Sequence, residues 1–137
     1  MAVYSDAEVL YRCIGQLFDW AFDAEDLGNN LRASGVAIRL HLTDPVATVS
    51  LDFGNGVVEF GDGSSVVPRV DLYMTADTAH EFWRGEVNVP LAVAKGTIRA
   101  EGSMATVLMS APLIAPLSGK YQEILREAGL QEASFGR

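Results

Sequence analysis

Along the first quarter of the chain, apolar residues recur three and four positions apart: Leu10, Ile14, Leu17, Ala21 and Ala24, with Phe18, Trp20 and Phe22 widening the stripe. This spacing predicts one long amphipathic helix over about residues 6–33. Ser5-Asp6-Ala7-Glu8 reads as its capping box, with Ser5 at the N-cap, and Gly35 closes it. The period then drops to two. Val36, Ile38, Leu40 and Leu42 alternate with Ala37, Arg39, His41 and Thr43, the signature of a half-buried strand. After the turn at Asp44-Pro45, a second strand carries Val49, Leu51 and Phe53. Gly54-Asn55-Gly56 is a strong hairpin signal, because Asn and Gly tolerate positive φ, and residues 57–60 form the third strand. A loop over residues 61–65 leads to a fourth strand at 69–74, with Val70, Leu72 and Met74 in alternation.

Thr75 caps a short helix carrying Ala79, Phe82 and Trp83 and stopped at Gly85. Asn88 and Pro90 open another over residues 91–94, stopped at Gly96. Residues 97–101 alternate as a fifth strand. Ser103 then caps a helix that is apolar nearly all round (Met104, Val107, Leu108, Met109, Leu113, Ile114), which Pro112 is expected to interrupt or restart. Ser118 caps a last amphipathic helix with Tyr121, Ile124 and Leu125, ended by Gly129. No repeat, low-complexity tract or linker interrupts the order. The prediction is an α+β fold in a single domain over residues 1–137: a five-stranded, mainly antiparallel sheet covered by helices on one face.

Composition sharpens this picture. Hydrophobic residues make up 49% of the chain, and that surplus has to enter a larger core, an internal pocket or an interface. The formal charge is −8, from 10 basic and 18 acidic residues. A chain of that sign is repelled by nucleic acid and by anionic membranes. Residues 1–86 hold 14 acids and 5 bases, residues 87–137 only 4 and 5. Any transient contact with a membrane or apolar partner falls to the C-terminal third, unless the asymmetry is only an uneven solvated surface. A lone cysteine, Cys13, rules out a disulfide framework and fits a reducing compartment. The first six residues lack the pattern of a signal peptide, residues 104–117 are too short to span a bilayer, and Phe135-Gly136-Arg137 is not a peroxisomal tripeptide. A cytoplasmic location is the expectation.

Catalytic signatures are weak. Asp52-Phe53-Gly54 matches the kinase metal triplet in letters only, on a hairpin and without the rest of that motif set. Gly61 and Gly63 precede a strand, not the helix of a dinucleotide loop. His41 and His80 are far apart in the sequence and neither has a ligand partner one helical turn away, whereas zinc needs three or four converging ligands. His41 is the better candidate for a polar group facing a pocket, should helices cover its side of the sheet. Cys13 reads as a buried, inert thiol, and Asp19, Asp23, Glu25 and Asp26 as a solvated helix face. No nucleophile–base set can be assembled, so no catalytic residue, metal or cofactor is assigned and the protein is not expected to be an enzyme. Phe82, Trp83, Met104, Met109, Leu113 and Ile114 are either ordinary core or the wall of a pocket. An all-apolar helix must be covered on every side or must line something.

Two stretches carry a family likeness. Gly85-Glu86-Val87-Asn88-Val89-Pro90-Leu91-Ala92 resembles the helix start in sterol carrier protein 2 domains. Lys95-Gly96-Thr97-Ile98-Arg99-Ala100-Glu101-Gly102-Ser103-Met104 resembles the glycine, hydrophobic, glycine and methionine signature of the same family, followed there by an apolar helix. Val70-Asp71-Leu72 ahead of a capped helix, and the element order over essentially the whole chain, are similar to it as well. The resemblance implies an apolar tunnel between sheet and helices, and loose binding of sterols, fatty acids, acyl-CoAs or phospholipids. It extends to the polyprenyl or quinone intermediates held by some bacterial relatives acting as accessory factors. By that analogy Phe82, Trp83, Leu91, Met104, Leu108, Met109 and Leu113 line the ligand site, and the last helix, with Tyr121 and Ile124, acts as a lid. This chain departs from the family in its long acidic first helix and in lacking a basic surface, which shifts weight from exchange with anionic bilayers toward a partner protein or homodimer. The expected function is non-catalytic carriage of a hydrophobic ligand. The alternative is a scaffold or dimerising accessory subunit of a lipid or isoprenoid pathway that uses the same apolar region.

Overall fold

The computed structural model describes residues 3–130; the terminal tripeptide Phe135-Gly136-Arg137 lies outside them. Helix α1 (Ala7–Asp23) is capped by Asp6, whose carboxylate accepts the Val9 N–H at 3.0 Å. Ser5 sits one residue earlier, exposed, so the cap lies one position later than the spacing predicted. The single long helix of the sequence reading is two. Ala24 is extended (ψ 125°) and α2 (Glu25–Ser34) sets off in a new direction. The bend buries Leu31 completely, and Gly28 permits it. A Cβ at Gly28 would stand 2.4 Å from the Phe22 carbonyl oxygen, the same oxygen that accepts from Arg32 Nη2 at 3.3 Å. Gly28→Ala is therefore expected to cost about 2 kcal/mol through forced separation of α1 and α2, read as a lower urea midpoint with unchanged slope.

The strands are β1 (Ala37–Thr43), β2 (Ala47–Asp52), β3 (Val57–Phe60), β4 (Val70–Thr75) and β5 (Arg99–Gly102), in the order β3-β2-β1-β4-β5. Three of the pairings are antiparallel. β1 and β4 run parallel, with Leu40 opposite Leu72. The β1–β2 connection passes through a cis Asp44–Pro45 bond. β5 starts two residues later than predicted, because the N–H groups of Thr97 and Ile98 both turn back to the Ala92 carbonyl (2.9 and 3.2 Å) and finish the preceding helix.

Alternation sets the two faces. Ile38, Leu40, Leu42, Val49, Leu51, Val70 and Leu72 are buried in one continuous core with Leu10, Ile14, Leu17 and Phe18 of α1. That core also takes in α3 (Ala76–Trp83), α4 (Val89–Lys95), α5 (Met104–Ile114) and α6 (Ser118–Glu127). Helices thus cover one side of the sheet, and Arg39, His41, Asp71 and Tyr73 look out from the other. Thr75, Asn88 and Ser103 cap α3, α4 and α5 through their side chains, as the sequence predicts.

Two breaks fall elsewhere than expected. Pro112 stays inside α5. It lies on the same exposed face as Leu108, whose carbonyl loses its helical donor there. The tightening comes later, in a 3-10 turn at Ala115–Leu117 that runs straight into α6. Ser118 is consequently the first residue of α6 and caps nothing with its side chain.

Candidate functional site: the outer face of the apolar helix

Helix α5 is built inside out. Its inward stripe is Thr106, Val107, Ser110 and Ile114, half of it hydroxyls. These are satisfied locally: Ser110 donates to the Val107 carbonyl at 2.7 Å, and Thr106 Oγ1 bonds Ser103 Oγ at 3.0 Å. The bulky apolar side chains point the other way, with Met104 45%, Leu108 52% and Met109 46% exposed, beside Leu91 of α4 at 48%. No charged residue occurs between positions 102 and 119.

The seven residues assigned to a ligand site are therefore distributed over two places. Phe82 and Trp83 lie in the core, where Trp83 meets the ring of Phe18 edge-on with centroids 5.6 Å apart. Leu91, Met104, Leu108 and Met109 are on the surface, and Leu113 is half-buried against the core. Periodicity could not separate them, because a helix apolar all round has no polar face to mark the outside. Beside Met109 a cleft of about 310 Å³ opens between the end of α2, the start of β1 and the first turns of α5. It is lined by Ser34, Gly35, Val36, Arg69, Ser103, Ala105, Thr106 and Met109. Neither Arg69 nor Ser34 was marked by any motif; the sheet register brings them there.

A second feature escaped the sequence reading. His80, placed there on an ordinary short helix beside Glu81, is 1% exposed. Its Nδ1 lies 2.7 Å from the Tyr121 hydroxyl, which in turn lies 2.5 Å from the Tyr4 hydroxyl. Burial, aided by the nearby Arg84 charge, lowers the His80 pKa to about 4, and burial raises both tyrosines above their ordinary range. The two bonds link Tyr4, Tyr121 and His80 into one buried chain of three groups. Tyr121 joins α6 to the N-terminal segment and to α3, and Ile124 and Leu125 are buried beneath the same helix. A hinged lid at α6 would have to break that chain.

No protein-family model matches the sequence, and no curated protein matches it. Solved structures do. Sterol carrier protein 2 from Yarrowia lipolytica in its apo form superposes with a TM-score of 0.59 at 16% identity, over 92% of this chain and 96% of that one. The sterol carrier protein domain 2 of Helicoverpa armigera gives 0.58 at 16% identity over 81% and 89%. The UbiJ-SCP2 ubiquinone synthesis protein gives 0.58 at 13% identity over 75% and 85%. The chain has the sterol carrier protein 2 fold. That fold accounts for the likeness of residues 85–92 and 95–104, which form the start of α4 and the passage from β5 into α5.

On this sterol-carrier scaffold the remaining polar candidates are dispersed. His41 bonds Asp71 at 2.8 Å on the outer sheet face, away from the helices, so its side is not the covered one. Burial raises the Cys13 thiol, which favours the neutral, unreactive form. Asp52 accepts from Asn55 within its hairpin at 3.2 Å and 2.7 Å. Among the described residues no group of three or more His, Cys, Asp or Glu side chains converges as a metal site requires, and no helix is long and apolar enough to cross a membrane.

Proposed function

We propose that this protein binds and carries a hydrophobic ligand without acting on it chemically, and that the ligand enters along the outer face of α5. One observation carries the reading: in a chain of charge −8, an uncharged helix turns Met104, Leu108 and Met109 outward and hydroxyls inward. Covering four large side chains that stand about half exposed recovers on the order of 1 kcal/mol each. Burying a lipid chain contributes roughly 0.8 kcal/mol per methylene, and micromolar binding requires about 8 kcal/mol. Contact area and shape are then enough, and no polar anchor is needed. The sterol carrier proteins among the structural neighbours support the same reading. The flexible methionines suit a site that accepts varied chains.

The test is uptake of a fluorescent fatty acid by delipidated protein, compared with the double variant Leu108→Glu, Met109→Glu. Both positions are solvent-facing, so the variant is expected to keep its melting temperature within a few degrees and to bind at least about tenfold more weakly. Equal uptake by both proteins rules the assignment out. The outward orientation of the patch also favours a second reading, an accessory subunit that presents this face to a protein or to itself. A stable dimer by light scattering that takes up no fatty acid, and that the same two substitutions dissociate, selects it.

A further inference from the structure

The uncovered face of the sheet contains a step. One register row crosses all five strands: Gly61, just after β3, then Thr48, His41, Tyr73 and Arg99. Gly61 N–H donates to the Thr48 carbonyl at 2.9 Å, and the other positions are direct partners. The row is tall on one side. The His41 and Tyr73 rings stack with centroids 4.4 Å apart and 11° between planes, and the Arg99 guanidinium caps Tyr73 at 3.9 Å. It is low on the other side, where Thr48 and Gly61 are small and a Cβ at Gly61 would meet nothing within 4 Å. A cleft of about 190 Å³ stands on that low side, lined by Arg39, His41, Thr48, Gly61, Asp62, Gly63 and Ser64. Tyr73 takes no part in it, so the cleft fronts the imidazole face turned away from the stack.

The walls are held in place. His41 Nε2 bonds Asp71 at 2.8 Å, which fixes the ring plane. Arg39 donates from Nε to Ser50 at 2.9 Å and from Nη2 to the Val66 carbonyl at 2.6 Å, which fixes the guanidinium at the cleft edge. Glu59 accepts from Ser64 Oγ at 2.7 Å and from the Ser65 N–H at 2.9 Å, which ties down the 61–65 loop carrying Asp62.

We propose that this step binds one planar heteroaromatic ring with a hydrogen-bond acceptor and a donor side by side on its edge, as in the oxopurine base of a nucleoside. The ring continues the Arg99–Tyr73–His41 stack over Thr48 and Gly61, its carbonyl edge meets the Arg39 guanidinium, and its ring N–H meets the Asp62 carboxylate. Aromatic rings prefer such offset stacks. A volume below the roughly 300 Å³ of ordinary ligand clefts admits a single base and no extended molecule. Charge selects the neutral form. Asp62 lines the cleft, and Asp71 and Glu59 are bonded to its His41 and Ser64, in a chain of charge −8, so a nucleoside is favoured over its phosphate or a polynucleotide. The site is on the opposite side of the sheet from α5 and does not depend on the carriage proposed above.

The probe is inosine, titrated into isotope-labelled protein and followed by amide chemical shifts. Saturable shifts centred on His41, Thr48, Gly61 and Gly63 are expected, with a Kd on the order of a millimolar. Thr48→Phe places a ring where the base would lie, at an outward strand position that favours aromatics. It is expected to weaken binding at least about tenfold while leaving fatty acid uptake unchanged. Asp62→Asn exchanges the acceptor for an amide on an exposed loop and is expected to weaken inosine several-fold. Shifts that fail to saturate, that centre on α5, or that persist in Thr48→Phe overturn the proposal, as does tighter binding of inosine 5′-phosphate than of inosine.

Discussion

As the pH falls from 6.5 to about 4, His80 alone is expected to remove about 3 kcal/mol of stability. The imidazole accepts a proton near 6.5 in the unfolded chain, but only near 4 in the fold, where burial disfavours the cation and the Arg84 charge adds to the effect. Between those values the unfolded state holds the extra proton, so stability is complete above 6.5 and drains as the pH drops through the window. The carboxyl of Glu59, held down first by the Ser64 hydroxyl, and that of Glu123, held down by Lys120, add losses at the lower end. Urea midpoints measured across the window separate the contributions. In His80→Gln, which keeps a hydrogen-bonding side chain but does not titrate, the decline between pH 6.5 and 5 is expected to vanish while the carboxyl losses remain. An equal decline in both proteins assigns it elsewhere.

Gly102→Ala is expected to be as damaging, at about 3 kcal/mol, or a melting temperature lower by roughly 10 °C. Gly102 adopts φ +127°, and a Cβ there would stand 2.5 Å from the Arg69 carbonyl oxygen and 2.9 Å from the Val70 Cα. Both are main-chain atoms on or next to β4, its sheet partner, and cannot step aside as a side chain would. Conformation and space are violated together. Gly96 is the control: its φ is +81° but nothing lies within 4 Å of its Cβ position, so Gly96→Ala carries only the conformational penalty of about 1 kcal/mol. Similar losses at both positions would show that the close approach at Gly102 is not the cause.

The strands, three of the helix caps and the order of elements were legible because each is written locally. Alternation over residues 36–43, Thr75, Asn88 and Ser103 at helix starts, and Gly35 and Gly96 at helix ends depend on neighbours a few positions away. Errors arose where distant contacts decided. The helical stripe continues smoothly through Ala24, and the only trace of the bend is Gly28, whose role depends on the Phe22 carbonyl crossing it. The side of α5 that faces inward was illegible because Ser110 and Thr106 satisfy their hydroxyls on their own helix, which allowed the core to take them and leave Leu108 outside. His80 sits between Ala79 and Glu81 with nothing local to mark its burial; its partners are 41 and, through Tyr121, 76 positions away in the chain. The seven side chains assigned to a ligand site were chosen by residue type, and only packing separates Phe82 and Trp83, which fill the core, from Leu91, Met104, Leu108 and Met109, which stand exposed.

The hydrogen bond between Tyr4 and Tyr121 spans 117 positions, and this matters while the protein is being made. A nascent chain with α6 still inside the ribosome has already released α1, the whole sheet and His80. It lacks the hydroxyl that satisfies both Tyr4 and the imidazole, and it lacks the buried Ile124 and Leu125. Until synthesis passes α6, the first helix is without the partner that α6 provides. Completion of the fold therefore waits for one ten-residue helix, whose partner at Tyr4 has by then been waiting since the first residues were made.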